Sequence, residues 1–221
     1  MADERGGERH SKAFTPELIA DPEERARREA ENGLRQFDLV IDMFEEWRAR
    51  NQPFKLRPSR ILALHRAALD GISGFAGNFR PAGVMIEGSK HQPPGGHLVA
   101  ELVEELCDYV NEHWDSTAVH LSAYVMWRIN WIHPFDDGNG RTARAASYLA
   151  LLVRLGWLPP GENTIPEQIS RNKDPYYEAL EAADAAYGEG RVDVSKLEDM
   201  LADMLASQLA GIFEQATGKH G

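Results

Sequence analysis

The chain has 221 residues, a formal net charge of −11 and a single cysteine, Cys107. This length suits one domain with its own apolar core, and the acidic balance argues against a general nucleic-acid surface. One cysteine excludes an internal disulfide, and no run of the sequence reaches the ~20 apolar residues of a membrane span. We therefore expect a cytoplasmic protein with no membrane partner.

The N-terminal part of the sequence predicts a tail followed by a helix. Residues 1–15 are polar and contain glycines, which is typical of a flexible tail. Residues 16–58 predict a helical segment, because Asp21-Pro22 is a good helix start and apolar residues then recur at helical spacing. These apolar residues are Leu34, Phe37, Val40, Ile41, Phe44 and Trp47.

Residues 59–190 predict a helical core that contains one extended segment. Residues 84–86 are apolar and are followed by a turn-forming stretch, residues 88–94. This pattern predicts a short β-hairpin with an exposed edge, to which a peptide can add as a further strand. The alternative is a surface hairpin without a partner. The predicted fold class is all-α with a short β-hairpin.

Residues 133–144 read His-Pro-Phe-Asp-Asp-Gly-Asn-Gly-Arg-Thr-Ala-Arg and predict a loop between two helices. Pro134 disfavours helix at the residue before it, and the two glycines permit backbone angles that other residues resist. Residues 117–132 predict a buried helix before this loop, and residues 141–155 predict a second helix after it. Because helix-start amides beside a glycine-rich turn favour negative charge, the loop is a candidate anion site.

The side chains of this loop suit phosphate chemistry. His133 has an ordinary pKa of about 6.5 and can accept a proton from an attacking hydroxyl. Asp137 suits Mg²⁺, which takes one or two protein carboxylates and fills its other positions with water and phosphate oxygens. Amides can hold one phosphate, which the Asn139 side chain can also reach, and guanidiniums can bind the remaining phosphates through paired hydrogen bonds. The nucleotide-binding candidates are Gly138, Asn139, Gly140, Arg141 and Arg144.

The loop resembles the Fic family signature, His-Pro-Phe-x-(Asp/Glu)-Gly-Asn-(Gly/Lys)-Arg-x-x-Arg, at every specified position. The resemblance covers about residues 59–190 and implies a Fic fold, with His133 as general base and Asp137 as ligand of Mg²⁺. Glycine at position 140 favours transfer of AMP, because relatives with lysine there include kinases. The implied contacts with ATP phosphates are made by Gly138, Asn139, Gly140, Arg141 and Arg144.

The extended segment resembles the Fic flap, which holds a segment of the target protein so that its hydroxyl lies over the catalytic histidine. This resemblance implies that Val84, Met85 and Ile86 set the register of the target. It also implies that the section beginning with Gly88 and Ser89 covers the nucleotide.

Many Fic proteins carry an inhibitory helix with the pattern (Ser/Thr)-x-x-x-Glu-(Gly/Asn), whose glutamate pairs with the second arginine of the signature. Glu31 and Asn32 match the end of this pattern, and Arg144 is the implied partner. Position 27 is arginine rather than serine or threonine. Glu31 is therefore either an inhibitory residue or an ordinary solvated charge.

Residues 191–221 predict a C-terminal helix with one apolar face. This helix either packs on its own core or forms a homodimer surface. The apolar residues are Leu197, Met200, Leu201, Met204, Leu205, Leu209, Ile212 and Phe213.

The resemblance implies a protein adenylyltransferase that transfers AMP from ATP to a Ser, Thr or Tyr hydroxyl of a target protein and releases pyrophosphate. Two alternatives use the same site: a hydrolase that removes AMP with water oriented by Glu31, and a transferase of another nucleotide such as UTP or GTP. From a different class, a binding module or toxin partner would have the site without turnover. A metal hydrolase that uses His133 and Asp137 is weaker, because no further cluster of His and carboxylates accompanies them.

Overall fold

A computed structural model describes residues 11–12, 18–50, 52–161 and 163–217 of the chain. Within these ranges the chain forms eight α-helices, one 3₁₀ turn and two very short strands, which confirms the predicted mainly helical fold. None of the described helices combines the length and the apolar character needed to cross a membrane. The helices are α1 Pro22–Arg50, α2 Pro58–Leu69, α3 Val99–Glu112, α4 Ala118–Ile132, α5 Asn139–Leu155, α6 Ile165–Arg171, α7 Asp174–Gly188 and α8 Ser195–Thr217. The strands are β1 Ser11–Lys12 and β2 Met85–Ile86, and the 3₁₀ turn is Gly96–Leu98.

Helices α4 and α5 form the centre of the fold and pack along each other. Most of their residues are buried, so each helix is covered by neighbouring elements on several sides rather than on one stripe. Helices α1 and α2 pack on α5, while α3, α7 and α8 pack on α4. The largest buried side chains include Trp127, Tyr148 and Phe44. The loop between α4 and α5 is therefore anchored at both ends in the core.

The junction between α4 and α5 follows from local sequence. Helix α4 ends at Ile132 because His133 has left-handed backbone angles, φ 50° and ψ 60°, and a proline follows it. Helix α5 begins at Asn139 after Gly138, whose φ of 76° favours glycine. The predicted order of helix, glycine-rich loop and helix is confirmed.

Two buried polar side chains attach α1 to α2. Asn32 Nδ2 donates to the carbonyl oxygens of Ala68 and Asp70, at 3.3 and 2.8 Å. Gln36 Nε2 donates to the Leu64 oxygen at 3.0 Å. The Asn32 bonds supply partners for carbonyls at the C-terminal end of α2, where amide donors run out. They also hold the N-terminal turns of α1 beside the loop between α4 and α5.

The segment between α2 and α3 contains β2, which pairs with β1 in an antiparallel register that places Ser11 opposite Ile86. This pairing corrects the predicted hairpin, because in the described residues the partner of β2 is β1 rather than a second strand of residues 84–94. Residues 1–10 and 13–15 of the predicted tail lie outside the described residues.

The physical reason for the missing second strand lies just after β2. Gly88 has a φ of 74°, and the Ser89 N–H donates to the Ile86 oxygen at 3.3 Å, so the chain turns immediately. The returning stretch contains Pro93 and Pro94, which have no N–H group to donate to a ladder.

Helix α8 packs on its own domain. Leu197 and Leu201 are fully buried, and α8 contacts α4, α6 and α7. Farther along, Leu209 is 37% exposed, and the side chains of Ile212 and Phe213 lie outside the described residues. The first half of α8 therefore packs on the core, while a homodimer at this face stays a prediction.

Candidate active site

His133 is the C-cap residue of α4 and is 6% exposed. Its N–H donates to the Ile129 oxygen at 2.9 Å, and its ring Nδ1 lies 3.3 Å from the Asn130 oxygen. Since a carbonyl only accepts, Nδ1 carries the proton in this contact and Nε2 has the basic lone pair. The left-handed backbone of a residue other than glycine costs about 1–2 kcal/mol, and such strain is concentrated at functional positions.

The surroundings of His133 keep its ring neutral. Burial lowers the pKa of His133 to about 3, and the nearby Arg80 and His91 act in the same direction. The bond to Asn130 and the charge of Asp137 oppose this effect without reversing it. A neutral ring has the lone pair that a general base needs, but a pKa of about 3 makes it a weak base until a nearby negative charge raises that pKa.

Asn139 and Gly138 give the loop its shape. Asn139 Oδ1 accepts from the Phe135 N–H, and Asn139 Nδ2 donates to the Phe135 oxygen, both at 2.9 Å. The Asn139 amide therefore bridges the loop, and its contact with a phosphate stays a prediction. A Cβ on Gly138 would lie 2.3 Å from Leu69 Cδ2, so a larger residue would displace the loop from α2.

Arg144 lies over the N-terminal turn of α5. Its Nη1 is 3.4 Å from the position that a Cβ on Gly140 would occupy. Within the described part of the chain, the ion pairs of this turn involve Arg141 and not Arg144. The Arg144 guanidinium and the first N–H groups of α5 thus place positive charge at one end of the helix, as an anion site requires.

Four charged side chains form an ion-pair cluster where α1 meets the loop. Asp137 Oδ2 accepts from Arg25 Nη2 and from Arg141 Nη2, at 3.1 Å each. Glu29 Oε1 lies 3.3 Å from both Arg25 Nε and Arg141 Nη1. Burial alone would raise the pKa of Asp137, but Arg141, the Gly138 N–H and Arg25 together lower it, so the carboxylate is ionised. We call Arg25, Glu29, Asp137 and Arg141 the α1–loop cluster.

Glu31 does not join the α1–loop cluster. Its Oε2 lies 3.7 Å from Arg28 Nε, and its side chain is 47% exposed. The implied pairing with Arg144 is not formed among the described residues, and Glu29 reaches Arg141 instead. Residues that are two positions apart on a helix point in directions about 200° apart, so Glu29 and Glu31 face different sides of α1. Inhibition by Glu31 stays a prediction.

The role of Asp137 as a ligand of Mg²⁺ stays a prediction. Among the residues that the structure describes, no group of three or more His, Cys, Asp or Glu side chains could hold a metal ion. Mg²⁺ on a nucleotide needs few protein ligands, since waters and phosphate oxygens complete its coordination. The ionised side chain of Asp137 is 32% exposed and fits as one such ligand.

A sequence model described as the Fic/DOC family matches residues 55–151. The chain contains a Fic/DOC domain. The "Protein adenylyltransferase Fic" of Drosophila yakuba is 40% identical to it over 128 residues, which are 56% of this chain and 24% of that protein. The protein of the same name from Drosophila willistoni is 36% identical over 137 residues, which are 60% of this chain and 25% of that protein. The chain therefore spans about a quarter of the length of these curated relatives.

Solved structures show the same fold. Fic-1 from C. elegans superposes with a TM-score of 0.69 and 21% identity, covering 91% of this chain and 55% of that one. A Fic-domain signalling protein from Bacteroides thetaiotaomicron superposes with a TM-score of 0.71 and 21% identity, covering 92% of this chain and 78% of that one. The structural likeness therefore extends beyond residues 55–151 of the Fic/DOC domain.

The Fic/DOC domain contains a buried histidine that no motif in the sequence marks. His65 Nδ1 accepts from the Gly77 N–H at 2.9 Å, so its Nε2 carries the proton and donates to the Asp137 oxygen at 3.0 Å. Burial lowers the pKa of His65 to about 4, although the Asp137 carbonyl and nearby carboxylates oppose the shift. His65 thus attaches the Fic/DOC loop to the segment that leads to the flap.

The flap of the Fic/DOC domain, residues 82–94, presents part of the predicted target surface. Met85 is 72% exposed, whereas Val84 and Ile86 are half-buried. Gly88 lies at the exposed turn, and Ser89 Oγ accepts from the N–H two residues later at 3.2 Å. Contact of these residues with a target stays a prediction, and the structure places them on the segment that is bonded to the end of α4.

Proposed function

We propose that this chain is a protein adenylyltransferase that transfers AMP from ATP to a Ser, Thr or Tyr hydroxyl of a target protein. The observation that carries the proposal is a neutral His133 in the same short loop as the helix-start amides of α5 and the Arg144 guanidinium. The names of curated relatives at 36% and 40% identity support it. The BepC protein of Bartonella tribocorum, with a TM-score of 0.56 and 17% identity, was solved with bound AMPPNP, which supports ATP as the nucleotide.

In the proposed reaction, Nε2 of His133 accepts the proton of the target hydroxyl while the hydroxyl oxygen attacks the α-phosphorus of ATP. A bond forms between this oxygen and the α-phosphorus, and the bond to the bridging oxygen breaks, so pyrophosphate leaves. The negative charge of a bound nucleotide raises the pKa of His133 from its low value, which helps the ring to keep the proton.

The α5 end of the loop stabilises the charge of the phosphates. The first N–H groups of α5 and the Arg144 guanidinium provide donors that need little rearrangement during the reaction. Asp137 would hold Mg²⁺, which neutralises phosphate charge when it is bound. Arg141 would bind a further phosphate once its guanidinium turns away from Glu29.

The α1–loop cluster has to open before the nucleotide is fully seated. Arg25 bonds the Asp137 oxygen that Mg²⁺ needs, and the Glu29 carboxylate takes the place of a phosphate on Arg141. Each α1 side chain therefore has the same charge as the ligand that would replace it. We infer that Mg²⁺ and ATP compete with α1 for Asp137 and Arg141.

Target binding by strand addition at β2 is part of the proposal. Met85 is exposed there, and β1 of the chain itself pairs with β2. Each strand has only two residues, so the ladder offers little resistance to exchange. A target strand would replace β1 and bring its hydroxyl towards His133.

The position of Glu31 favours transfer over hydrolytic removal of AMP. The hydrolase alternative needs Glu31 beside the reacting phosphorus to orient water. In the structure Glu31 lies next to Arg28 and is 47% exposed.

Mass spectrometry tests the proposed transfer. The purified chain is incubated with ATP, Mg²⁺ and cell lysate, and proteins are searched for an added AMP group. Wild type should produce such adducts and His133→Ala should not. Adducts formed with UTP or GTP alone would replace ATP as the substrate, and the absence of adducts with every nucleotide would favour a binding module.

A further inference from the structure

Arg80 is a buried guanidinium that bonds the end of α4. It is 3% exposed, and its Nε donates to the His133 oxygen at 2.7 Å. Its Nη2 lies 3.4 Å from the Ile132 oxygen, and its backbone N–H donates to the Pro134 oxygen at 2.9 Å. Three successive carbonyl groups around the proposed base therefore accept from one residue.

The same side chain bonds both ends of the flap. Arg80 Nη1 donates to the Ala82 oxygen, and Nη2 donates to the Pro94 oxygen, each at 2.5 Å. The two ends also approach each other closely, since a Cβ on Gly96 would lie 3.1 Å from the Ala82 oxygen. One guanidinium thus connects the start of the flap, its end and the backbone of His133.

A guanidinium is well suited to this position. The last carbonyls of a helix have no amide partner within the helix, and the C-terminal end of a helix favours positive charge. Arginine offers five donors in a rigid planar fork, whereas lysine offers three on a flexible stem. The Arg80 guanidinium therefore reaches four carbonyl oxygens at once, those of Ala82, Pro94, Ile132 and His133.

A second flap residue bonds the same helix end. His91 Nε2 lies 2.7 Å from the Trp131 oxygen, and the two rings are 5.7 Å apart. The carbonyls of residues 131 and 132, at the end of α4, therefore have flap-side partners in His91 and Arg80. The flap and the last turn of α4 share a hydrogen-bond network that an ordinary surface loop would lack.

We propose that Arg80 is a positioning residue that holds the flap and His133 in one fixed arrangement, so that a target hydroxyl bound on the flap meets the base. This inference rests on the proposed adenylyl transfer. Arg80 acts through backbone carbonyls and need not touch the nucleotide or the target. Without it, the flap still binds a target strand, but the distance between that strand and His133 is no longer fixed.

Hydrogen exchange tests the connection without any need for activity. The variants are Arg80→Met and Arg80→Lys, and the matched control is Arg128→Met. Arg128 is also a buried arginine of the core, 4% exposed, whose guanidinium lies 4.4 Å from the Trp131 ring and 5.0 Å from the Tyr187 ring. In Arg80→Met, amides of residues 82–94 and 131–136 should exchange about tenfold faster, and by similar factors. In Arg128→Met the two segments should not accelerate together, and Arg80→Lys should be intermediate.

The distribution of AMP between protein and water tests the positioning role in turnover. Arg80→Met should lower transfer to protein about a hundredfold while ATP affinity and AMP release to water change less than about threefold. A transfer-to-water ratio equal to that of wild type, or exchange that rises in only one of the two segments, would overturn the proposal. If the wild type transferred no AMP, the proposed function would fail, while the exchange data would still report on the connection.

Discussion

His65 and Phe135 stack face to face, with ring centroids 3.7 Å apart and an interplanar angle of 7°. Both residues are fully buried, and the His65 ring is bonded to the Gly77 N–H and to the Asp137 oxygen. A neutral imidazole therefore supports the loop that carries His133. A proton added to this ring would place a charge in a buried site and would remove the acceptor of the Gly77 N–H.

The first prediction concerns the pH dependence of stability. The pKa of His65 in the folded protein, about 4, lies below its ordinary value of 6.5, so the unfolded state binds more protons between these pH values. The free energy of unfolding should therefore fall as the pH drops through this window, by up to ~3 kcal/mol from this residue. Urea unfolding at a series of pH values measures the slope. His65→Gln should flatten the slope.

The second prediction concerns the general base. His133→Ala should lower the rate of AMP transfer by at least about a hundredfold, because the target hydroxyl loses its proton acceptor. Affinity for ATP should change by less than about threefold, since the proposed phosphate contacts lie at α5. Single-turnover transfer and calorimetric binding of ATP measure the two quantities. Retained transfer in this variant would remove His133 from the role of base.

The third prediction separates backbone strain from lack of space at two glycines. Gly138 and Gly156 have similar φ values, 76° and 77°, but a Cβ meets Leu69 Cδ2 at 2.3 Å only at Gly138. Gly156 has nothing within 4 Å of such a Cβ, so Gly156→Ala should cost about 1–2 kcal/mol through strain alone. Gly138→Ala should cost about 1–3 kcal/mol more, because Leu69 or the loop must move. Equal losses in denaturant unfolding would show that α2 does not constrain the loop.

The fourth prediction concerns the α1–loop cluster. Glu29→Gln should strengthen ATP binding by about two- to tenfold, because Arg141 loses a competing carboxylate. Arg25→Met should likewise strengthen Mg²⁺ binding in the presence of ATP, because Asp137 loses a competing cation. Calorimetric titrations measure both affinities.

The control for this cluster lies on the same helix. Glu31→Gln should leave ATP affinity unchanged, because Glu31 is paired with Arg28. Weaker ATP binding in Arg25→Met would instead identify Arg25 as a phosphate contact. A larger effect of Glu31→Gln than of Glu29→Gln would favour the inhibitory pattern implied by the family resemblance.

The sequence by itself determined the local parts of this protein. The local structure of residues 133–144 follows from their own sequence, because Pro134 ends one helix, Gly138 permits the turn and the next residues begin another helix. Helical spacing likewise predicted α1 and the burial of Leu197 and Leu201 in α8. Such features depend on neighbours within a few positions, so a pattern in the sequence is enough to predict them.

The tertiary structure alone decided which distant residues complete the site. His65, Arg80 and Arg25 bond residues that lie 72, 53 and 112 positions away in the chain, and no periodicity or motif marks them. Glu29 rather than Glu31 pairs with Arg141 because of how α1 is rotated against α5. Strand β2 pairs with β1 because the fold brings residues 11–12 beside residues 85–86. Hydrogen bonds and ion pairs form only within about 3–4 Å, and the packing of the helices, rather than local sequence, sets these distances.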